Sequence, residues 1–458
     1  MNRAVLIFLV LLSSIHTGWM PARGAQPAPG FEVRLHPGGM LYVGDQISIE
    51  VFTPVGENYD RTNLNAAIAG EVPVNLGSTA FFGTAGGRFR AMLYWAWDTR
   101  GLQPGVYTIQ LSIPERSQTW EMQVTLQPAN PQAQAGEWVS TETDCCYIHV
   151  ISGTDAERDL PQLVDLIEAQ ADSASQAIGT TLENKIHINL VPRILGQGGF
   201  TSDEVYVSYA DGNYANPAVI QLLHHEMIHR YDALRESRLR PTILIEGLAV
   251  FLSDGHYQVE PVAMRAAALY HNGGYLPLRY LADRFYPSQH ETGYIIGGAL
   301  VGYMVDRWGW DAYDAFYRDI QPNDAGQAQA IDEALRRHFG LSLEELESGF
   351  TGYLEALPVV TDVEDDLTGT IDFFDTVREY QKVMDPSAYF EQVWLPDAEE
   401  MRKRGIVADY TRGPDEIQNL QIAAQLSEAL TLLNAGEFDL LREKVAIVGL
   451  ELDRILAE

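Results

Sequence analysis

The chain reads as three parts in series: an all-β sandwich, an α+β unit and a helical bundle. Three observations predict this order. Short alternating strands with turn signals occupy roughly a hundred residues after residue 30. Strands flanking one long helical pattern follow, and beyond residue 217 almost every segment has helical periodicity. At 458 residues the chain is also too long for one ordinary domain. We place the parts at residues 31–128, 138–358 and 366–458.

The N-terminus precedes all three. Arg3 leads into the apolar run AVLIFLVLL at residues 4–12, too short to span a bilayer and suited to the core of a signal peptide. Ala22-Arg23-Gly24 supplies small residues for cleavage, so residues 1–24 are expected to direct export to a periplasmic or extracellular space. No later stretch is apolar enough for a membrane span.

In the first part, QISIEV sets Ile47, Ile49 and Val51 on one face, and VYTIQL does the same with Tyr107, Ile109 and Leu111. Pro104-Gly105 turns the chain into the second of these strands. The pieces GDQISIEV and GVYTIQL resemble immunoglobulin-like modules, without their Cys–Trp–Cys framework. QPANPQAQAGE at residues 127–137 then reads as a linker.

In the second part CYIHVI and KIHINLV are strands around a helix over residues 155–178, and EVYVSY at residues 204–209 is a third strand. Asn216-Pro217 is expected to cap and begin the next helix. Ser342 and Glu345 form a capping box later on, and TDVEDD at residues 361–366 reads as an acidic connector to the last helices. No internal repeat is present.

Charge and cysteine content exclude several functions. The net charge of -32 repels nucleic acid and anionic lipid. The two cysteines, Cys145 and Cys146, are adjacent. A bridge between neighbours is unfavourable in geometry, so two buried or idle thiols are expected, with no disulfide scaffold and no CxxC chemistry.

The informative stretch is LLHHEMIHRYD at residues 222–232. His225 and His229, four apart on a helix, lie on one face and can grip one ion, with Glu226 angled toward a water beside it. Val219, Ile220, Leu222, Leu223, Met227 and Ile228 make the helix largely buried, where ionisable groups are costly unless paired or ligated. His224 is outside the motif and reads as a packing or hydrogen-bonding residue. A third histidine six positions beyond His229 is excluded, because Arg235 stands there. The better third ligand is Glu246, the sole charge between Arg240 and Asp254 in PTILIEGLAVFLSDG. Pro241 opens this second helix, Gly255 ends it, and Gly247 permits close helix approach.

HHEMIHRYD followed by LIEGLAVFLS resembles the gluzincin metallopeptidases, loosely over residues 140–357. The resemblance implies a zincin-like α+β catalytic domain with Zn²⁺ held by His225, His229 and Glu246, and Glu226 as general base. It also implies that an edge strand lines the cleft, a place EVYVSY would fill. GYIIGGALVGYMVDRWG resembles the later helix whose tyrosine stabilises the oxyanion, which assigns Tyr294, with His290 and Tyr286 as open alternatives. The G-x-M-E-N strand of gluzincin aminopeptidases is absent, and Val250 replaces the aspartate that follows the glutamate in thermolysin-like enzymes. Groups orienting the histidines are unassigned, with Asp232 and Asp254 as candidates.

The expected activity is that of an exported zinc endopeptidase acting on peptides or proteins, with neither nucleic acid nor membrane as a partner. The acidic surface predicts a weak preference for basic or neutral substrates. The rival expectation is a non-catalytic binding protein on a degenerate peptidase scaffold, which has little reason to keep all four residues.

Overall fold

The computed structural model describes residues 30–457, apart from residues 69–70, 83–87, 216–217, 287–289 and 390–396. The export segment at residues 1–24 and the helix start at Asn216-Pro217 therefore lie outside the described residues.

The N-terminal part is β-rich. Its strands are β1 (Glu32–His36), β2 (Leu41–Tyr42), β3 (Gln46–Phe52), β4 (Asn63–Ile68), β5 (Val74–Ser78), β6 (Ala80–Phe82), β7 (Arg88–Asp98), β8 (Gly105–Ile113) and β9 (Gln118–Gln127). They form two sheets, β1-β3-β7-β6 and β2-β9-β8-β4-β5. Ile47, Ile49 and Val51 of one sheet share a core with Ile109, Leu111, Val124 and Leu126 of the other. That face follows from the alternation of the two strands. The opposite face of β3 is covered as well. Glu50 there is fully buried, and its carboxylate meets His36 Nε2 at 3.1 Å.

The linker is anchored. Asn130 caps a short turn at Pro131–Gln134, and Arg412 from far along the chain donates to the Ala133 carbonyl and pairs with Asp45.

The middle part holds β10 (Trp138–Glu142), β11 (Cys146–Ile151), α1 (Asp155–Arg158), α2 (Leu160–Ile178), β12 (Ile186–Val191), β13 (Gly199–Thr201) and β14 (Val205–Ser208). The helix expected over residues 155–178 is thus broken at Asp159, where Pro161 begins a new one. Sheet order is β10-β11-β12-β14-β13, parallel in the centre and antiparallel at both edges. The expected edge strand is internal. Val205 to Ser208 are buried on both faces, as a central strand must be, and the edge is the three-residue β13. Cys145 and Cys146 form a disulfide at the β10–β11 turn, contrary to the expected free thiols. In that turn Cys146 N donates to Thr143 Oγ1 at 3.2 Å.

Helices follow: α3 (Val219–Ala233), α4 (Thr242–Leu252), α5 (Val262–His271), α6 (Leu278–Asp283), α7 (His290–Trp308), α8 (Trp310–Arg318), α9 (Gln327–His338) and α10 (Leu343–Ala356). The capping box at Ser342 and Glu345 is present. One continuous core joins the central strands to these helices. The α4–α7 contact is set by glycine: a Cβ on Gly247 would lie 2.5 Å from the Gly297 carbonyl oxygen. Only bare backbone allows helices this close.

The last helices are α11 (Thr361–Met384), α12 (Ala398–Arg404), α13 (Ala408–Thr411), α14 (Ile417–Asn434) and α15 (Phe438–Ala457). TDVEDD is not a connector but the first turns of α11. Acidic side chains there complement the helix N-terminus. Helices α11, α14 and α15 share a core of Phe373, Val377, Ile422, Leu426, Leu441 and Val448. Among the described residues no helix is long and apolar enough to cross a membrane.

Candidate metal centre

Helix α3 lies against the sheet with Leu223, Met227 and Ile228 in the core. The rest of its buried surface turns toward a cavity of about 610 Å³, to which Leu222, His225, Glu226, His229, Arg230 and Ala233 contribute. These positions recur at three- and four-residue spacing, one stripe of the helix. Glu246 enters from α4, packed alongside.

The structure brings His225, His229 and Glu246 together, and among the described residues they are the one group of His, Cys, Asp and Glu side chains found spaced for a metal. His225 Nε2 and His229 Nε2 are 3.0 Å apart. Glu246 Oε2 lies 3.1 Å from the second and 3.4 Å from the first. Ligand atoms at about 2.0–2.1 Å from a tetrahedral ion are about 3.3–3.4 Å apart, so these three atoms approximate one face of such a tetrahedron. Two ring nitrogens and a carboxylate oxygen are also the donor set a borderline divalent cation prefers. The residues present therefore fit a metal ion.

The surroundings orient this set. Tyr286 donates its hydroxyl to Glu246 Oε1 at 2.9 Å, leaving Oε2 for the histidines. Burial by itself would raise the Glu246 carboxyl, but the facing His229 and hydrogen bonds from both rings hold it well below the usual range. Burial pushes His225 down to about 3. For His229 the Glu246 carboxylate outweighs burial and lifts the ring to about 9. The two rings, one turn apart, shift in opposite directions, since Glu226 and Asp232 add their charge to that of Glu246 at His229.

Glu226 is buried beside them, and burial pushes its carboxyl up to about 7 against the lowering effects of His229 and Thr201. Thr201 Oγ1, on edge strand β13, lies 2.8 Å from Glu226 Oε2. Gly199 makes this approach possible, since a Cβ there would fall 3.3 Å from Glu226 Cγ and 2.7 Å from the Tyr206 carbonyl oxygen.

Tyr294 is 7% exposed and lines the cavity. Its ring stacks on His256, with centroids 3.8 Å apart and planes at 9°. His256 Nδ1 meets the buried Glu291 Oε1 at 3.2 Å, and its ring lies 5.6 Å from that of His225. His256, Thr201 and Glu291 were not singled out from the sequence. The available signal was Glu291 itself, three residues before Tyr294 on α7 and hence on the same face. Of the alternative donors, Tyr286 is engaged with Glu246, and the His290 side chain lies outside the described residues.

The candidate orienting aspartates do not bond to the histidines. Asp232 accepts from Arg240 and Tyr317, each at 2.8 Å, and reaches His229 through its charge alone. Asp254 ends α4 in a left-handed conformation, with its carbonyl accepting from Glu260 N. His224 points the other way and meets Gln170 at 2.8 Å. Arg235 pairs with Asp314.

Helix α11 closes one side of the cavity with Phe374, Val377, Arg378 and Gln381. Phe374 stacks on Tyr257 at 3.8 Å. The C-terminal helices thus contribute to the wall of the site.

No protein-family model and no curated protein matches the chain. Among solved structures, the chain is similar to an aminopeptidase N family protein from Idiomarina loihiensis at 10% identity and a TM-score of 0.27, covering 81% of this chain and 78% of that one. A metallopeptidase from Bacteroides thetaiotaomicron is similar at 9% identity and a TM-score of 0.25, covering 79% and 64% respectively. The present chain therefore spans less than two thirds of the second structure's length.

Proposed function

We propose that this chain is a zinc-dependent endopeptidase. The observation that carries the reading is the convergence of His225 Nε2, His229 Nε2 and Glu246 Oε2 within 3.0–3.4 Å of one another at a cavity that Glu226 also lines. A catalytic zinc ion bound by three such ligands supplies a Lewis acid and lowers the pKa of a coordinated water.

The chain's own residues supply the rest. Glu226, steadied by Thr201, takes a proton from the attacking water and returns it to the leaving amine. Tyr294 donates to the developing oxyanion, and its ring is held by the stack on His256, itself bonded to Glu291. Tyr286 keeps Glu246 in its ligating orientation. An extended peptide pairs with β13, whose outer edge faces no further strand of its sheet. That edge, Gly199–Thr201, carries no carboxylate to grip a free amine, which supports an endopeptidase.

Hydrolysis of peptides blocked at both ends tests this reading. Zinc-loaded wild type is expected to cut them, and Glu226→Gln to lose at least about a hundredfold in rate while still binding zinc. Equal rates in the two proteins would exclude Glu226 as the base. A folded, zinc-loaded wild type that cuts no peptide would favour the binding-protein reading.

A further inference from the structure

The chain has twice as many acidic as basic residues, 63 against 31, yet its cavity is lined by three arginines, Arg230, Arg240 and Arg378, against three carboxylates, Asp203, Glu226 and Glu246. Apart from His256, the His225–His229–Glu246 cluster and Glu226, the charged side chains there are Arg230, Arg240, Arg378 and Asp203. Arg240 is committed to Asp232, at 2.8 Å.

Arg230 is different. No carboxylate pairs with it among the described residues, and its buried Nε has no hydrogen-bond partner. Other largely buried arginines are matched within the chain: Arg193 with Asp385, Arg235 with Asp314, Arg402 with Glu204 and Arg412 with Asp45. A buried guanidinium N–H left without an acceptor is costly, and an incoming carboxylate would recover that cost with two parallel hydrogen bonds.

Position adds to the case. Arg230 follows Glu226 by four residues on α3, so it sits about 6 Å farther along the same stripe. Ala233, one turn beyond His229, leaves the floor open there, and Thr242 and Ile245 of α4 line the same cavity. At about 3.3 Å per residue of extended peptide, a group held by Arg230 falls within about two residues of the scissile bond.

We infer that Arg230, with Arg240 as a supporting charge, forms a carboxylate-binding subsite that makes this peptidase prefer substrates carrying a carboxylate close to the cut. The inference rests on the peptidase reading above. The carboxylate belongs either to an Asp or Glu side chain or to a peptide C-terminus, both of which offer the same planar pair of oxygens. This preference runs against the weak bias toward basic substrates expected from net charge, because a partner within bonding distance outweighs screened, distant charge.

The test uses zinc-loaded full-length protein and pairs of peptides differing only in Glu or Gln, scanned through the positions flanking one cleavage site. Each pair is made with a free and an amidated C-terminus. In wild type, the carboxylate-bearing member is expected to be cut about tenfold or more faster at one position, or with the free terminus. The ratio should fall toward one in Arg230→Gln and below one in Arg230→Glu, and the wild-type ratio should shrink with added salt. Equal rates on every pair in wild type would overturn the subsite while leaving the peptidase intact, as would a ratio unchanged in Arg230→Gln. The wild-type ratios are decisive even if a variant folds poorly. Absence of any cleavage by wild type overturns the peptidase reading and the subsite together.

Discussion

Tyr286 Oη lies 2.9 Å from Glu246 Oε1, and Glu246 Oε2 lies 3.1 Å from His229 Nε2. One carboxylate is thus shared between a fixed hydroxyl and the histidine pair. Removing the hydroxyl in Tyr286→Phe should let the carboxylate rotate and weaken metal affinity by about tenfold to a hundredfold. Competition with a chromogenic chelator measures this, and unchanged affinity would remove Tyr286 from the supporting shell.

Helices α4 and α7 hold the third ligand in place through bare backbone at Gly247 and Gly297. A methyl at Gly247 would meet the Gly297 carbonyl oxygen at 2.5 Å, which demands that the helices part. Gly247→Ala should cost about 2 kcal/mol or more of stability. Denaturant midpoints with unchanged slopes measure the loss, and an unshifted midpoint would contradict the contact.

Arg193 reaches across to α11 and pairs with the buried Asp385, which also accepts from Tyr214 at 3.2 Å. Arg193→Met leaves that carboxylate buried without its cation and should destabilise the fold by about 3 kcal/mol. Adding Asp385→Asn should return much of this. A double variant no better than the single one would show that the pair is not the cause.

His149 is buried between Ser140 and His187, with Glu204 and Arg402 the nearby charges. Burial pushes its imidazole down to about 3. An unfolded histidine titrates near 6.5, so below about pH 6.5 the unfolded chain binds the extra proton and the folded state loses stability as pH falls. Between about pH 7 and pH 5, His149→Gln should remove about 1–2 kcal/mol of that loss. Denaturation midpoints at the two pH values check the sign: a wild type equally stable at both would contradict it.

Much of the site was legible because its signals are local. His225 and His229 share a helix face by spacing alone, and Glu246 stands out as a lone carboxylate in an apolar run. The groups around them come from elements without periodicity. Thr201 sits on a strand of three residues, His256 in a loop after α4, and Tyr286 just before α7. No pattern places such residues before the chain is folded. Misassigning the edge strand had a readable remedy. Val205, Tyr206 and Val207 follow one another without a polar residue between them, and apolar side chains on both faces mark a central strand rather than an edge. TDVEDD misled for a different reason, since acidic runs suit both a solvated connector and a helix N-terminus. The Cys145–Cys146 bridge lies at a hairpin turn that composition does not reveal.

The central claim is that the His225–His229–Glu246 cluster binds zinc. Equilibrium zinc titration of wild type, Glu226→Gln and Glu246→Ala tests it most directly. One tightly bound zinc in the first two and affinity reduced at least about a hundredfold in the third is the predicted result. Equal affinity in Glu246→Ala, or no stoichiometric zinc in folded wild type, would contradict it.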